Sequence, residues 1–528
     1  MAKHFSRILP VGFGFVLLLF IFWPLFAGFT FWANGISYSD FWLFNFPLKD
    51  WYRSLLLQGE LPFWTSLLGN GYPVFAEGQI GALYPFNLLF FRLFPTVLAI
   101  NLTLFFHFFL AFFLTFLFCR VSLKLSQSAA FLAGLTFSLS GYFWIHIQYT
   151  NVLLVISWLP LVFLSIERIV MTKRFFWTFI LALIFSLQIL AGHLEFFLYS
   201  FLLSIFYFLL INFLFRGKDQ ARPALSLFLF AGAVILSIGI TLVQTLPTYE
   251  LTKESNRAGG FDVEYASSTS WPPKTLSFFL SPQFYDHFQR EQEYHPFKDN
   301  FVNPNALYGY IGFLPIVLAI LAMVLARKRF VAIFTILLFL AFIYGLGRQT
   351  QVFEILWQTI PGLKFLRFPV KILFFIEFCL AVLAGLGLDY LKGKISGKFK
   401  KITKIGLILG TTIVLATAAD LYFNNAGRFS KFTKTDQWLQ APPTAQFLKD
   451  NLGQNYRYYT QSTNNLFAPG SDFTLHKSFQ NILPVNFNLI YKIPSNREYF
   501  TLFLSRQKEI ENQRTAFDSQ RGKLELTQ

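Results

Sequence analysis

Three groups of residues in this chain have the types and spacing to do chemistry. The first is Asp40, in Ser39–Asp40–Phe41–Trp42, just after the first long apolar stretch. A carboxylate at that position can serve as a general base or contact a metal. The competing reading is a solvated loop aspartate beside a membrane span. Asp50 is the next carboxylate in line. The segment that follows holds Gly59–Glu60–Leu61–Pro62–Phe63–Trp64, Gly69–Asn70–Gly71–Tyr72–Pro73, Glu77–Gly78–Gln79 and Tyr84–Pro85–Phe86–Asn87. Its mix of Gly, Pro and aromatic residues around few charges suits a loop ordered at a membrane surface.

The second group is Ala191–Gly192–His193–Leu194–Glu195, with Gln188 one turn earlier. Ionisable residues at membrane depth are costly and tend to be functional; at the interface the same residues are ordinary caps. His146 and Gln148 resemble this pair more weakly, and His107, on an apolar stretch, reads as hydrogen-bonded inside the protein. The third group is Lys364–Phe365–Leu366–Arg367–Phe368–Pro369–Val370–Lys371. Arg367 and Lys371 fall on the side that orientation rules leave poor in cations. An anionic ligand such as a lipid phosphate would explain them, because a guanidinium forks onto phosphate oxygens. A salt bridge to a carboxylate or a headgroup contact would explain them too. Arg348 is a further cation for such a site, together with His193. No Walker-type Gly-x-x-x-x-Gly-Lys, Gly-x-Ser-x-Gly, His-Glu-x-x-His or Cys-x-x-Cys occurs, so neither nucleotide-driven nor hydrolytic chemistry has motif support.

The elements that must position these residues are helices in a membrane. The chain has 528 residues, 55% hydrophobic, 20% aromatic and only 13% charged. A soluble protein would carry about 25% charged residues. Stretches long enough for a bilayer core of about 30 Å recur at about 8–31, 96–118, 128–146, 152–167, 175–191, 195–214, 225–246, 306–326, 330–346, 370–391 and 405–423. Basic clusters fall in every second gap: Arg120 and Lys124; Arg168, Lys173 and Arg174; Arg216, Lys218 and Arg222; Arg327–Lys328–Arg329; and Lys392 through Lys404. Short Lys/Arg-rich loops stay in the cytoplasm. The expectation is an all-α polytopic protein of the cell membrane with about eleven transmembrane helices, a cytoplasmic N-terminus and an extracytoplasmic C-terminus. The transmembrane module spans 1–424, with outer loops 33–80, 248–304 and 347–368. The polar tail 425–528 is expected to form a small extracytoplasmic α/β domain with short strands near Tyr456–Tyr459 and a loosely ordered end. The net charge of +17 belongs to loops that set orientation and meet anionic membrane lipid, so nucleic acid is not a partner. Cys119 and Cys379 lie in apolar stretches and form neither a disulfide framework nor a metal spacing.

Taken in order, the Asp40 segment, Gly59-x-x-Pro62-x-Trp64, Gly71-x-Pro73, Tyr84–Pro85-x-Asn87, Gly192–His193, and Phe365-x-Arg367-x-Pro369 running into Leu380–Ala381–Val382–Leu383–Ala384–Gly385–Leu386–Gly387–Leu388–Asp389 resemble the YfhO-type bacterial membrane proteins of the C-type (GT-C) glycosyltransferase superfamily. The likeness covers about 30–430, and the tail more weakly at Pro442–Pro443 and Asn486–Tyr491. It implies a GT-C-like fold. It also implies a sugar transferase that uses a polyprenyl-phosphate-linked donor outside the membrane, on a cell-envelope polymer or glycolipid, as in teichoic-acid glycosylation. Asp40 is then the expected base. Arg367, Lys371, His193, Glu195 and Arg348 are the expected donor-phosphate residues. Trp64, Tyr72, Glu77, Gln79 and Tyr84 are the first-loop contacts to acceptor or donor. No cofactor is required by the motifs, and a divalent metal stays open. Two positions depart from the family pattern: Glu195 stands where Gln is expected, and Lys371 where Arg is commoner. The tail is also shorter than in many relatives. These departures bear on the acceptor more than on the fold. The alternative from another class is a transporter or lipid flippase of envelope precursors, which should show broken helices, paired intramembrane charges and repeat symmetry. The spans look nearly free of charge and no repeat is visible. A third alternative is an inert scaffold, in which loss of Asp40 would be silent.

Overall fold

A helix satisfies every backbone polar group within its own segment, so uninterrupted apolar stretches in lipid become helices. The computed structural model describes residues 2–33, 40–214, 223–293, 304–360, 362–398, 403–434, 440–453, 456–459, 481–506 and 509. Arg216, Lys218, Arg222, Lys400, Lys401, Pro469–Gly470 and most of the tail beyond Arg506 lie outside the described residues. Among those described, seven helices are long and apolar enough to cross a membrane: Thr96–Val121, Gln127–Gln148, Thr150–Thr172, Leu194–Phe213, Pro223–Lys253, Pro369–Ile395 and Gly406–Phe429. Four shorter apolar helices, Pro10–Ile21, Phe175–Leu190, Phe313–Leu325 and Arg329–Gly345, complete the set. Each falls on one of the stretches read from the sequence.

The chain divides into two units. The first holds Met1–Asn34, Val97–Ile240 and Phe261–Thr435. Its central helix is Leu373–Lys398, packed against Phe313–Leu325, Gln127–Ser138 and Arg329–Gly345. Glycines make that approach possible. A Cβ on Gly387 would sit 2.0 Å from the backbone oxygen of Leu318, and one on Gly385 would sit 2.9 Å from that of Ala129. Small residues are how membrane helices come close without a hydrophobic driving force. Elsewhere large apolar side chains turn outward, as Phe228, Ile235 and Val324 do, which suits a lipid surround.

Strand Phe29–Ala33 pairs antiparallel with Ser430–Lys434, Phe31 opposite Phe432. The pair joins the segment after the first apolar helix to the segment after the last. Among the described residues ten apolar helices lie between the two strands, an even number. The stretch read as one span at 128–146 is broken at Leu139–Ser140, between Gln127–Ser138 and Gly141–Ile145. The buried carboxylate of Glu377 fills the break. It accepts hydrogen bonds from the Ser140 hydroxyl and from the Tyr142 backbone N–H at 3.2 Å. Glu377 is a charge in an apolar helix that the reading of nearly charge-free spans passed over.

The second unit holds Gly35–Thr96, Thr241–Gly260 and Asp436–Gln528. Helix Phe46–Gln58 ends at Gly59, whose φ of +80° is the left-handed cap that glycine accepts without strain. Helix Asn488–Tyr491 of the tail packs on it. Ala445, Leu483, Tyr491 and Ile493 form a small apolar core. In the Tyr456–Tyr459 segment the described pairing is a single bridge, Tyr458 with Ser495.

Candidate functional site

In the second unit Asp40 opens a widened helical turn, Phe41–Asn45. The Tyr499 hydroxyl donates to its Oδ1 at 2.9 Å. Tyr499 is itself pinned, its backbone N–H on Asn486 Oδ1 (3.1 Å) and its carbonyl on Asn486 Nδ2 (2.9 Å). The half-buried aspartate therefore faces a positioned phenol. Asp50 lies in the same unit and accepts from Thr96 Oγ1 at 2.6 Å; burial raises its carboxyl above the usual range.

The candidate first-loop residues split by environment. Tyr72 is buried, stacked on Phe500 (centroids 3.8 Å, planes 4° apart), and donates to the Leu502 carbonyl at 2.6 Å. Tyr84 is buried ahead of helix Pro85–Leu93. Glu77 is buried and accepts from the Gln79 N–H at 2.9 Å and from the Gln79 amide group, which also donates to Thr501 Oγ1. Burial pushes the Glu77 carboxyl up to about 7, against the pull of the Gln79 hydrogen bonds and of the Arg257 charge. Lys49, also buried, donates to the Ile80 carbonyl at 2.5 Å, and burial lowers its ammonium to about 7. Trp64 is different. One ring face lies on Gly71, where a Cβ would come within 2.3 Å of the indole, and the residue is 57% exposed. Phe63 beside it is exposed too.

In the first unit Glu195, Arg367 and Lys371 come together. Gly192 (φ +94°) turns the chain into helix Leu194–Leu209, with His193 at its cap and Glu195 in its first turn. Glu195 Oε1 accepts the Arg367 backbone N–H at 2.8 Å, and Oε2 accepts Lys371 Nζ at 2.5 Å. His193 and Lys371 share the Phe196 ring, His193 edge-on at 4.7 Å and the Lys371 ammonium at 5.9 Å. The Arg367 guanidinium lies over Phe368, Phe261 and Tyr265 at 4.9, 5.6 and 6.0 Å, and Nη1 donates to the Tyr265 hydroxyl at 2.7 Å. Its Nε is buried without a hydrogen-bond partner among the described residues. Phe368 carries a φ of +62°, strained for a bulky residue, and its N–H is held by the Ala266 carbonyl at 2.7 Å. Pro369 then opens the single turn Pro369–Ile372 ahead of Leu373–Lys398. Arg348 is anchored through its backbone N–H to Ser270 Oγ at 3.0 Å.

Other polar groups have structural partners. Gln188 donates to the Val155 carbonyl (3.0 Å) and Ser200 Oγ (3.1 Å). His107 Nδ1 lies 2.6 Å from the Thr103 carbonyl oxygen. Tyr142 stacks on His146 at 3.7 Å. No local pattern marks Tyr265, Phe261 or Tyr499, which reach their partners from about a hundred residues away or more. Among the described residues no group of three or more His, Cys, Asp or Glu is placed to hold a metal.

Apolar helices, close glycine packing and polar clusters at helix ends define a polytopic membrane protein. The chain belongs to the family described as bacterial membrane protein YfhO, whose model matches residues 13–479. No curated protein matches it. Among solved structures it is similar to the mycobacterial arabinofuranosyltransferase AftD, with a TM-score of 0.52 and 11% identity over 84% of this chain and 28% of that one. An R1389S mutant of AftD gives 0.48 and 13%, over 94% and 33%. The archaeal oligosaccharyltransferase AglB from Archaeoglobus fulgidus, in complex with an inhibitory peptide and a dolichol-phosphate, gives 0.43 and 10%, over 94% and 65%. The chain thus spans about a third or less of the length of AftD, and the likeness is one of fold.

Proposed function

We propose that this chain is a membrane glycosyltransferase. It moves a sugar from a polyprenyl-phosphate-linked donor to a cell-envelope polymer or glycolipid on the outer face of the membrane, with the N-terminus cytoplasmic and the C-terminus outside. The observation that carries this reading is the Arg367–Lys371 group. Two cations four residues apart lead into an apolar helix, and the guanidinium, walled by three rings, keeps a buried Nε without a partner among the described residues. Such a fork suits phosphate oxygens.

In the transfer, the acceptor hydroxyl oxygen bonds to the anomeric carbon and its proton passes to a carboxylate oxygen of Asp40. The bond from that carbon to the phosphate oxygen breaks, and its electron pair leaves on the phosphate. Arg367 and Lys371 neutralise that growing charge. The Tyr499 hydroxyl keeps Asp40 oriented. The exposed indole of Trp64 offers a flat apolar face to a sugar ring. The test uses purified protein in proteoliposomes with a radiolabelled polyprenyl-phosphate sugar and isolated envelope glycopolymer or glycolipid. Label in the acceptor is the expected result. Donor crossing the bilayer with no label transferred would refute the reading in favour of a flippase.

A further inference from the structure

One oxygen of Glu195 is committed, at 2.5 Å, to the Lys371 ammonium that the proposed donor phosphate needs. The other is committed, at 2.8 Å, to the Arg367 backbone amide, a second donor open to an anion beside it. The pair is secluded, with side-chain exposures of 18% for Lys371 and 8% for Glu195. A carboxylate with one oxygen on an ammonium and the other on a backbone amide presents the charge and the acceptor spacing of a phosphate diester. The chain therefore carries its own anion where a ligand anion would bind. We infer that Glu195 is an internal competitor for the donor phosphate: it occupies Lys371 and the Arg367 amide in the free protein, yields them when the donor arrives, and takes them back as the lipid phosphate leaves.

This inference rests on the donor-phosphate reading of Arg367 and Lys371. Three features make an exchange feasible. Lysine has three donors on a flexible stem, so Lys371 can pass from one anion to another. The released carboxylate stays in the first turn of helix Leu194–Leu209, where a negative charge is favoured, next to His193. The turn that Glu195 clamps includes Phe368 at φ +62°, a conformation that the surrounding bonds must hold in place. The guanidinium of Arg367 is not part of the exchange, since it is held by Tyr265 and the three rings. Arg367 then gives standing affinity for phosphate, and Glu195 limits how tightly the lipid phosphate is kept.

The experiment measures binding and release of a fluorescent polyprenyl phosphate by the full-length protein in nanodiscs, for wild type, Glu195→Gln and Arg367→Ala. Removing the competing charge should tighten binding about tenfold, the scale of one charged hydrogen bond, and slow dissociation. Gln keeps an oxygen for the Arg367 N–H, so the turn retains its clamp. If Arg367→Ala weakens binding but Glu195→Gln binds no tighter than wild type, the competitor role falls and the donor reading stands. If Arg367→Ala binds like wild type, the donor reading falls and takes this inference with it. Should Glu195→Gln fail to insert, wild type decides: carbodiimide modification of Glu195, read by mass spectrometry, should speed up when polyprenyl phosphate is added. An unchanged or slower rate would overturn the inference.

Discussion

Two buried groups of the second unit, Glu77 and Lys49, give that unit an unusual dependence on pH. Burial raises the Glu77 carboxyl from an ordinary 4.5 to about 7, and lowers the Lys49 ammonium from 10.5 to about 7. Between pH 4.5 and 7 the folded state keeps the Glu77 proton and the unfolded chain has lost it, so stability falls as pH rises. Above pH 7 the unfolded chain keeps the Lys49 proton and the folded state has lost it, so stability climbs again toward 10.5. At about 1.4 kcal/mol per pH unit, Glu77 alone costs about 3 kcal/mol across its window, and Lys49 returns an amount of the same order. The result is a valley near neutral pH, where most proteins are at their most stable. The assay is thermal unfolding in detergent from pH 4.5 to 10, taken as the difference between wild type and variant so that other groups cancel. Glu77→Gln should flatten the acid limb, which in wild type should span several degrees in Tm. Lys49→Met should flatten the alkaline limb. A Glu77→Gln protein with the wild-type slope between pH 5 and 7 would refute the reasoning.

Other outcomes follow from the same geometry. Gly387→Ala would push a Cβ into the Leu318 backbone and should destabilise the protein by about 1–3 kcal/mol. Gly393→Ala, with nothing within 4 Å of the added carbon, should be neutral or slightly stabilising, and equal melting temperatures for the two would contradict the close packing. Arg367→Ala should weaken polyprenyl-phosphate sugar binding more than Arg367→Lys, because lysine keeps the charge and loses the fork; equal affinities by titration would assign the guanidinium a packing role. Cysteines introduced at Ser396 and at Ser462 should label oppositely with an impermeant thiol reagent in intact cells, and equal labelling would break the assigned orientation.

The helices were legible because hydropathy is a local property. The apolar helices fall where runs of Leu, Ile, Val and Phe place them. Arg367 and Lys371 stood out because they break a charge rule that can be read along the chain. Their surroundings were not legible: Glu195 lies 172 residues before Arg367 and Tyr265 102 residues before it, and no local pattern encodes such a meeting. The same holds for Tyr499, which reaches Asp40 across 459 residues. Glu377 did leave a signal, a lone carboxylate within Leu373–Gly387. Its role depends on the Leu139–Ser140 break of another helix, which no pattern near Glu377 encodes.

The most direct test of the central claim is sugar transfer by Asp40→Asn. The change keeps the shape of the side chain and its contact with the Tyr499 hydroxyl, and removes the ability to take a proton. A positioned base contributes about 100-fold or more. Membrane-inserted Asp40→Asn protein, with a melting temperature and donor affinity like those of wild type, should lose transfer to the acceptor by at least that factor. Wild-type turnover by the same protein would contradict the assignment of Asp40 as base and move the search to Asp50.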